Sequence, residues 1–190
     1  MQTYLKRIIG GILAIITSFS LFGCSSNQID EGKMATDMEE ILTQLFMSVQ
    51  CGDKNTFRNF FADHVVELPT FTGGCNYIFD IFQGDLMSVN FYSAGHTEKQ
   101  IVPGEQICFA YMTFIVTTSQ KEYQACVEFY TKYESKYPND PYKIKQISLF
   151  PKLSDGSFIP KESDGNFSKD WIAFCQDGIY YPGWRGENAE

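Results

Sequence analysis

Cysteines and histidines are the side chains here most able to do chemistry, and their spacing limits what that chemistry can be. Cys24, Cys51, Cys75, Cys108, Cys126 and Cys175 include no pair separated by two residues. Neither a CxxC redox pair nor a paired-cysteine zinc site is therefore present. His64 and His96 stand alone, with no second His or Cys three or four residues away. A Cys–His nucleophile pair is not expected, nor is a metal or a cofactor. With Cys24 set aside, five thiols remain; an odd number excludes a complete disulfide framework but leaves one unassigned bridge open. Cys75, Cys108 and Cys126 fall inside apolar patterns and suit the role of small buried hydrophobes. A carboxylate base beside an oxyanion donor would be a different chemistry. Asp80 and Tyr111 fit those roles, although Asp80 sits near a helix end, where a solvated side chain is the simpler reading.

Cys24 is a separate case. Lys6-Arg7 precede an apolar run, Ile8 to Phe22, which ends in Leu21-Phe22-Gly23-Cys24 and the polar Ser25-Ser26-Asn27-Gln28. The run is short for a membrane span, which takes about 20 apolar residues, and fits a secretory signal peptide. Its end resembles the lipobox of bacterial lipoproteins, with Phe22 bulkier than that pattern usually carries. A plain signal peptide and an uncleaved anchor are the bland alternatives. The resemblance implies acylation of Cys24, a new N-terminus there, and a domain held by its lipid on the extracytoplasmic face of the cell membrane. More than one acyl chain gives stable attachment, at about 0.8 kcal/mol per buried CH₂. The expected organisation is a signal peptide over 1–23, a tether over 24–35 and one domain over 36–190.

The whole chain has 190 residues and a net charge of −8; without residues 1–23, 13 basic side chains face 23 acidic ones, a net −10. Such a chain is repelled by phosphate backbones and is not expected to bind nucleic acid. Hydrophobic residues at 44% supply material for a core.

Thr36-x-x-Glu39 reads as a capping box. Met34, Met38, Ile41, Leu42, Leu45, Phe46 and Val49 then recur at helical spacing, up to a stop at Gly52-Asp53. A short helix follows over Thr56 to Phe61, and a third carries Cys75, Ile78, Phe79 and Phe82, closed by Gly84. From Leu86 the period becomes two. The first strand ends near Gly95. Gln106 to Thr118 is apolar on both faces and reads as central and doubly covered. Lys121 to Tyr133 turns Tyr123, Ala125, Val127 and Phe129 inward, and Tyr142 to Phe150 is the last long strand. Ser154-Asp155-Gly156 and Ser163-Asp164-Gly165 read as turns, and the aromatic tail Trp171 to Trp184 packs back on the domain. Helices first and strands after is an α+β plan, with the first helix wrapped by a curved antiparallel sheet.

Cys75-Asn76-Tyr77-Ile78-Phe79-Asp80-Ile81-Phe82-Gln83-Gly84, Lys121-Glu122-Tyr123, Tyr137-Pro138-Asn139-Asp140 and Asp177-Gly178-Ile179-Tyr180-Tyr181-Pro182 together resemble an uncharacterised family of Gram-positive lipoproteins, domain of unknown function 5104. The resemblance spans about residues 35–183. It implies the cone-shaped α+β fold of nuclear transport factor 2, with helices in the concave face of the sheet, and it brings no activity or catalytic residue. Pro141-Tyr142-Lys143-Ile144 departs from the Gly-aromatic strand start usual in the family.

A cone leaves room for a pocket between sheet and helices. The residues placed to line it are Phe79, Phe82, Phe109, Tyr111 and Tyr123, unless they simply fill the core. Three functions follow. The first is non-enzymatic binding of a small ligand or partner protein; the second is a small cone-fold enzyme acting outside the membrane; the third is a homodimer.

Overall fold

Helical periodicity in the first part and strand alternation in the second are both realised. The computed structural model describes residues 31–102, 105–131, 142–158 and 177–180, with side chains except at 96–102 and 105–108. Helix α1 spans Glu31–Gln50, α2 Lys54–Arg58, α3 Asp63–Val66 and α4 Phe71–Ile81. Strands β1 (Leu86–Val102), β2 (Glu105–Thr118), β3 (Glu122–Tyr130), β4 (Ile144–Pro151) and β5 (Gly178–Ile179) form one five-stranded sheet in sequence order. Neighbours are antiparallel except β4 and β5, which are parallel. The fold is thus α+β, and the sheet is mixed rather than purely antiparallel.

Met38, Leu42, Leu45, Phe46 and Val49 form the buried stripe of α1. Asp53 ends the turn after α1 and caps α2, its carboxylate accepting from the amides of Asn55 and Thr56. The inner face of the sheet is Ala110, Met112, Phe114 and Val116 of β2, Tyr123, Ala125, Val127 and Phe129 of β3, and Ile147 and Leu149 of β4, all buried. The helical layer meets this face where the Phe82 ring, just after α4, stacks between Phe46 and Tyr123 at 5.5 and 5.6 Å. Gly74 of α4 lies against Ile179 so closely that an added Cβ would sit 2.5 Å from the isoleucine side chain. Glycine there is a steric requirement of docking β5.

Several expectations need correction. The first helix begins at Glu31, upstream of Thr36, so Thr36 and Glu39 form no capping box. Glu39 is half-buried, and its carboxylate accepts the amide of Phe91 in β1. The second helix runs over Lys54–Arg58 and stops short of Phe61. Strand β1 continues past Gly95 to Val102 through three register shifts, because bulges bend a strand without ending its pairing. β2 is central, but its second face is only partly covered: Tyr111, Ile115 and Thr117 are half-buried. Phe109, expected to line a pocket between sheet and helices, alternates with the inner residues and faces the other way. The second Asp-Gly turn and most of the aromatic tail lie outside the described residues; of that tail, residues 178 and 179 add β5 to the sheet.

At the start of β4 the chain passes through Tyr142 with φ 71°, a left-handed conformation that costs a non-glycine residue about 1–2 kcal/mol. The departure from the Gly-aromatic pattern falls at this place. Tyr142 is held there by its hydroxyl, which donates to Asp37 of α1 at 2.9 Å, and by an edge contact with Phe129.

Two outcomes follow. Phe46→Ala should cost about 3–5 kcal/mol in denaturant melts, a large share of the roughly 5–15 kcal/mol a domain has, whereas Met47→Ala, at an exposed site, should stay within about 0.5 kcal/mol. The second outcome concerns alkali. Burial, the hydrogen bond to Asp37 and that carboxylate's charge push the Tyr142 hydroxyl from 10.0 up to about 12. A pKa raised on folding gives stability that is complete below the unfolded value and lost above it. Stability should therefore fall between about pH 10 and pH 12, and Tyr142→Phe should flatten that part of the profile.

Candidate functional site

Because strand residues alternate, the inner residues of β2, β3 and β4 define a second set on the opposite face. Across the strands these are Tyr111, Glu128 and Gln146, then Thr113, Cys126 and Ser148, then Ile115, Gln124 and Phe150. This outer face is polar in composition, yet Thr113, Cys126, Gln146 and Ser148 are buried, Ser148 completely. The Thr113 hydroxyl donates to the Cys126 sulfur at 3.9 Å. Among the described residues, Gln146 Nε2 and Ser148 Oγ are buried and find no hydrogen-bond partner. Leaving a buried donor unpaired costs about 1–3 kcal/mol.

Beside them runs a chain of charges. Lys145 Nζ lies 2.9 Å from Glu128 and 3.3 Å from Asp177, and the other oxygen of Asp177 is 3.0 Å from His64 Nε2. The Lys145 ammonium also sits 4.3 Å from the centre of the Phe109 ring, a favourable cation–π distance. Three elements and one flanking residue thus meet at this point: His64 comes from α3, Glu128 from β3 and Lys145 from β4, while Asp177 directly precedes β5. Lys145 reaches the outer face because the β3–β4 register shifts between Glu128 and Phe129, which makes it an extra residue on its strand.

Burial lowers the Lys145 pKa, but Glu128 and Asp177 outweigh it and hold the group above its ordinary value. Lys145 is therefore an ammonium at neutral pH and serves as a fixed cation rather than a base or amine nucleophile. Burial pushes the Cys126 thiol up, against hydrogen bonds from Tyr111 and Thr113. It pushes the Cys75 thiol up as well, against the charges of Lys54 and Arg58. Neither thiol is activated in the way a nucleophilic cysteine requires. Cys51, Cys75 and Cys126 are free. Among the described residues no group of His, Cys, Asp and Glu is arranged to hold a metal ion.

The five residues expected to line one pocket are divided between two places. Phe82 and Tyr123 stack in the core, and Phe79 meets Phe57 edge-on at 5.3 Å. Phe109 and Tyr111 belong to the opposite face of the sheet. Asp80 is exposed on α4, away from Tyr111. Cys24 lies outside the described residues. Gln146, Ser148, Lys145 and Asp177 were missed because Gln and Ser alternating with apolar residues reads as a solvated strand face. The detectable signal was the cation at Lys145, out of step with that alternation.

The family described as Domain of unknown function (DUF5104) matches residues 44–144. No curated protein matches the chain. Among the described residues no helix is long and apolar enough to cross a membrane.

The site can be probed through its two unpaired atoms. Ser148→Ala should stabilise the free protein by about 1 kcal/mol, since it removes an unsatisfied buried hydroxyl; a loss of stability in thermal melts would mean that the hydroxyl has a partner. Lys145→Met should instead destabilise by about 3–5 kcal/mol, because it strands the carboxylate of Glu128, which is only 13% exposed.

Proposed function

The chain belongs to the DUF5104 family, a grouping defined without an activity, and from that premise we propose that it is an exported lipoprotein whose domain binds a small ligand or a partner protein. Cys24, following an apolar run and a small residue, is the site of acylation, and the lipid holds the domain at the extracytoplasmic face of the cell membrane. The domain is a nuclear transport factor 2-like cone; its helices-first order and the packing of α1 and α4 toward one sheet face support that assignment.

The observation that carries the binding reading is the pair of buried groups, Gln146 Nε2 and Ser148 Oγ, that find no partner among the described residues. A bound molecule offering hydrogen-bond acceptors would satisfy both, and a buried unpaired group in a native structure calls for an explanation of this kind. The groups around them suit holding rather than reacting: Lys145 is kept charged and Cys126 is kept as a thiol. The alternative is a small enzyme, and the His64–Asp177 pair favours it, since a carboxylate orienting an imidazole is the form of a general base.

Native mass spectrometry of the purified protein tests binding: a bound molecule lost in Gln146→Leu supports it, and an unliganded protein of unchanged mass opposes it. Anchorage has its own test. Cys24→Ala should leave the protein unlabelled by fatty acid and release it from the detergent phase, because the acyl chains would be missing. Labelling and partitioning identical to the original chain would overturn the lipoprotein reading.

A further inference from the structure

Five large apolar side chains are exposed among the described residues, and four of them come from two elements that meet at a seam: Met47 from α1, and Met87, Phe91 and Tyr92 from β1. The seam is the line where α1 runs beside the free edge of β1. It is pinned at one end by the Gln50 side chain, which accepts the Leu86 amide at 2.9 Å, and at the other by Glu39, which accepts the Phe91 amide. The spans agree: from Glu39 to Gln50 a helix rises about 16 Å, and from Leu86 to Phe91 a strand advances about 16 Å. Met47 stands on the same helical stripe as Glu39, Thr43 and Gln50, one turn before the Gln50 pin.

Two of the exposed residues owe their position to bulges. The β1–β2 register slips between Leu86 and Ser88 and again between Phe91 and Ser93, so Met87 and Tyr92 are the extra residues. They are also the most exposed of the five, at 68% and 66%. Bulges on edge strands re-aim side chains, and here each turns a large apolar group out to solvent. Clustered exposed apolar groups of this kind mark interaction surfaces, and methionine adapts to varied partners.

The charge around the seam selects the partner. Glu39 and Asp85 hold negative charge at the two pins of the seam and Glu40 follows Glu39, whereas Asp37 turns to Tyr142 and Asp53 caps α2. The segments that build the seam, residues 35–53 and 82–95, contain no Lys or Arg. The chain as a whole carries −8, so a second copy would meet like charge. Pairing through the backbone is hindered as well, since Gln50 and Glu39 already occupy two edge amides. We propose that the α1–β1 seam is a docking surface for a basic amphipathic segment of a partner protein, its apolar side chains on Met47, Met87, Phe91 and Tyr92 and its cations facing the carboxylates. This rests on the binding reading above and names the partner; it does not depend on the lipid anchor or on the outer face of the sheet.

The test uses the full chain and a labelled synthetic amphipathic peptide built from Lys and Leu, followed by fluorescence anisotropy, with a Glu and Leu peptide of the same pattern as control. The basic peptide should bind and the acidic one should not. Met47→Ser with Met87→Ser should weaken binding about tenfold or more without lowering the melting temperature, and Leu153→Ser, at an exposed apolar residue away from the seam, should leave it unchanged. Equal binding by both variants would mean general attraction to an acidic protein and would overturn the proposal. So would sedimentation showing a dimer that the double substitution dissociates, which would give the seam to a second copy. Either failure leaves the mass-spectrometric test of the binding reading intact, so the two can fall separately.

Discussion

The ring of Phe82 between Phe46 and Tyr123 is the contact on which the two halves of this fold depend. It joins the first helix, the exit from α4 and the third strand. Stacked aromatic pairs add about 0.5–1.5 kcal/mol each beyond the area they bury. The Tyr123 hydroxyl completes the joint by donating to the Ile81 carbonyl and accepting the Gln83 amide, both at 2.8 Å. A helix end normally leaves carbonyls for water or a cap; here a side chain of the sheet takes one of them. The end of α4 is thereby fixed to β3 by the same residue that fills the core, and the turn into β1 follows from that position.

From that turn, β1 leaves as an edge strand, and an uncovered edge invites pairing with other chains. The protein answers with α1, whose Glu39 and Gln50 occupy edge amides, and with bulges that break the regularity of the strand. The same devices leave Met87 and Tyr92 in water. Protection of the backbone and presentation of apolar side chains thus have one structural origin, so the seam is more than a leftover of imperfect burial.

Much of the inner architecture was legible in the sequence. The stripe from Met38 to Val49 and the alternation of Tyr123, Ala125, Val127 and Phe129 each follow one period, and burial obeys them. What failed depended on contacts between distant segments. Glu39 looked like a cap because it stands three residues after a threonine, and nothing local says that it bonds to Phe91. Strand β5 has two residues, too few to carry a period, and exists through pairing with β4 and the space left by Gly74. The outer-face site was hidden for a related reason. Gln146 and Ser148 alternate with apolar residues as exposed positions do, and only the three-dimensional structure reveals that they are buried.

Tyr142 shows how such a local conflict is sustained. A glycine at a left-handed position would remove the backbone cost but would also remove the hydroxyl bonded to Asp37 and the ring against Phe129. A buried aromatic contributes about 1.5–3 kcal/mol by its area, and a hydrogen bond to a charged group about 1.5–3 kcal/mol more, against about 1–2 kcal/mol of backbone strain. The contacts outweigh the strain. They also tie the start of β4 to α1, on the opposite side of β4 from the bulge that turns Lys145 outward. Two successive irregularities, one at Tyr142 and one at Lys145, therefore set the direction of the strand that carries Gln146 and Ser148. The geometry of the outer face depends on a residue that does not belong to it.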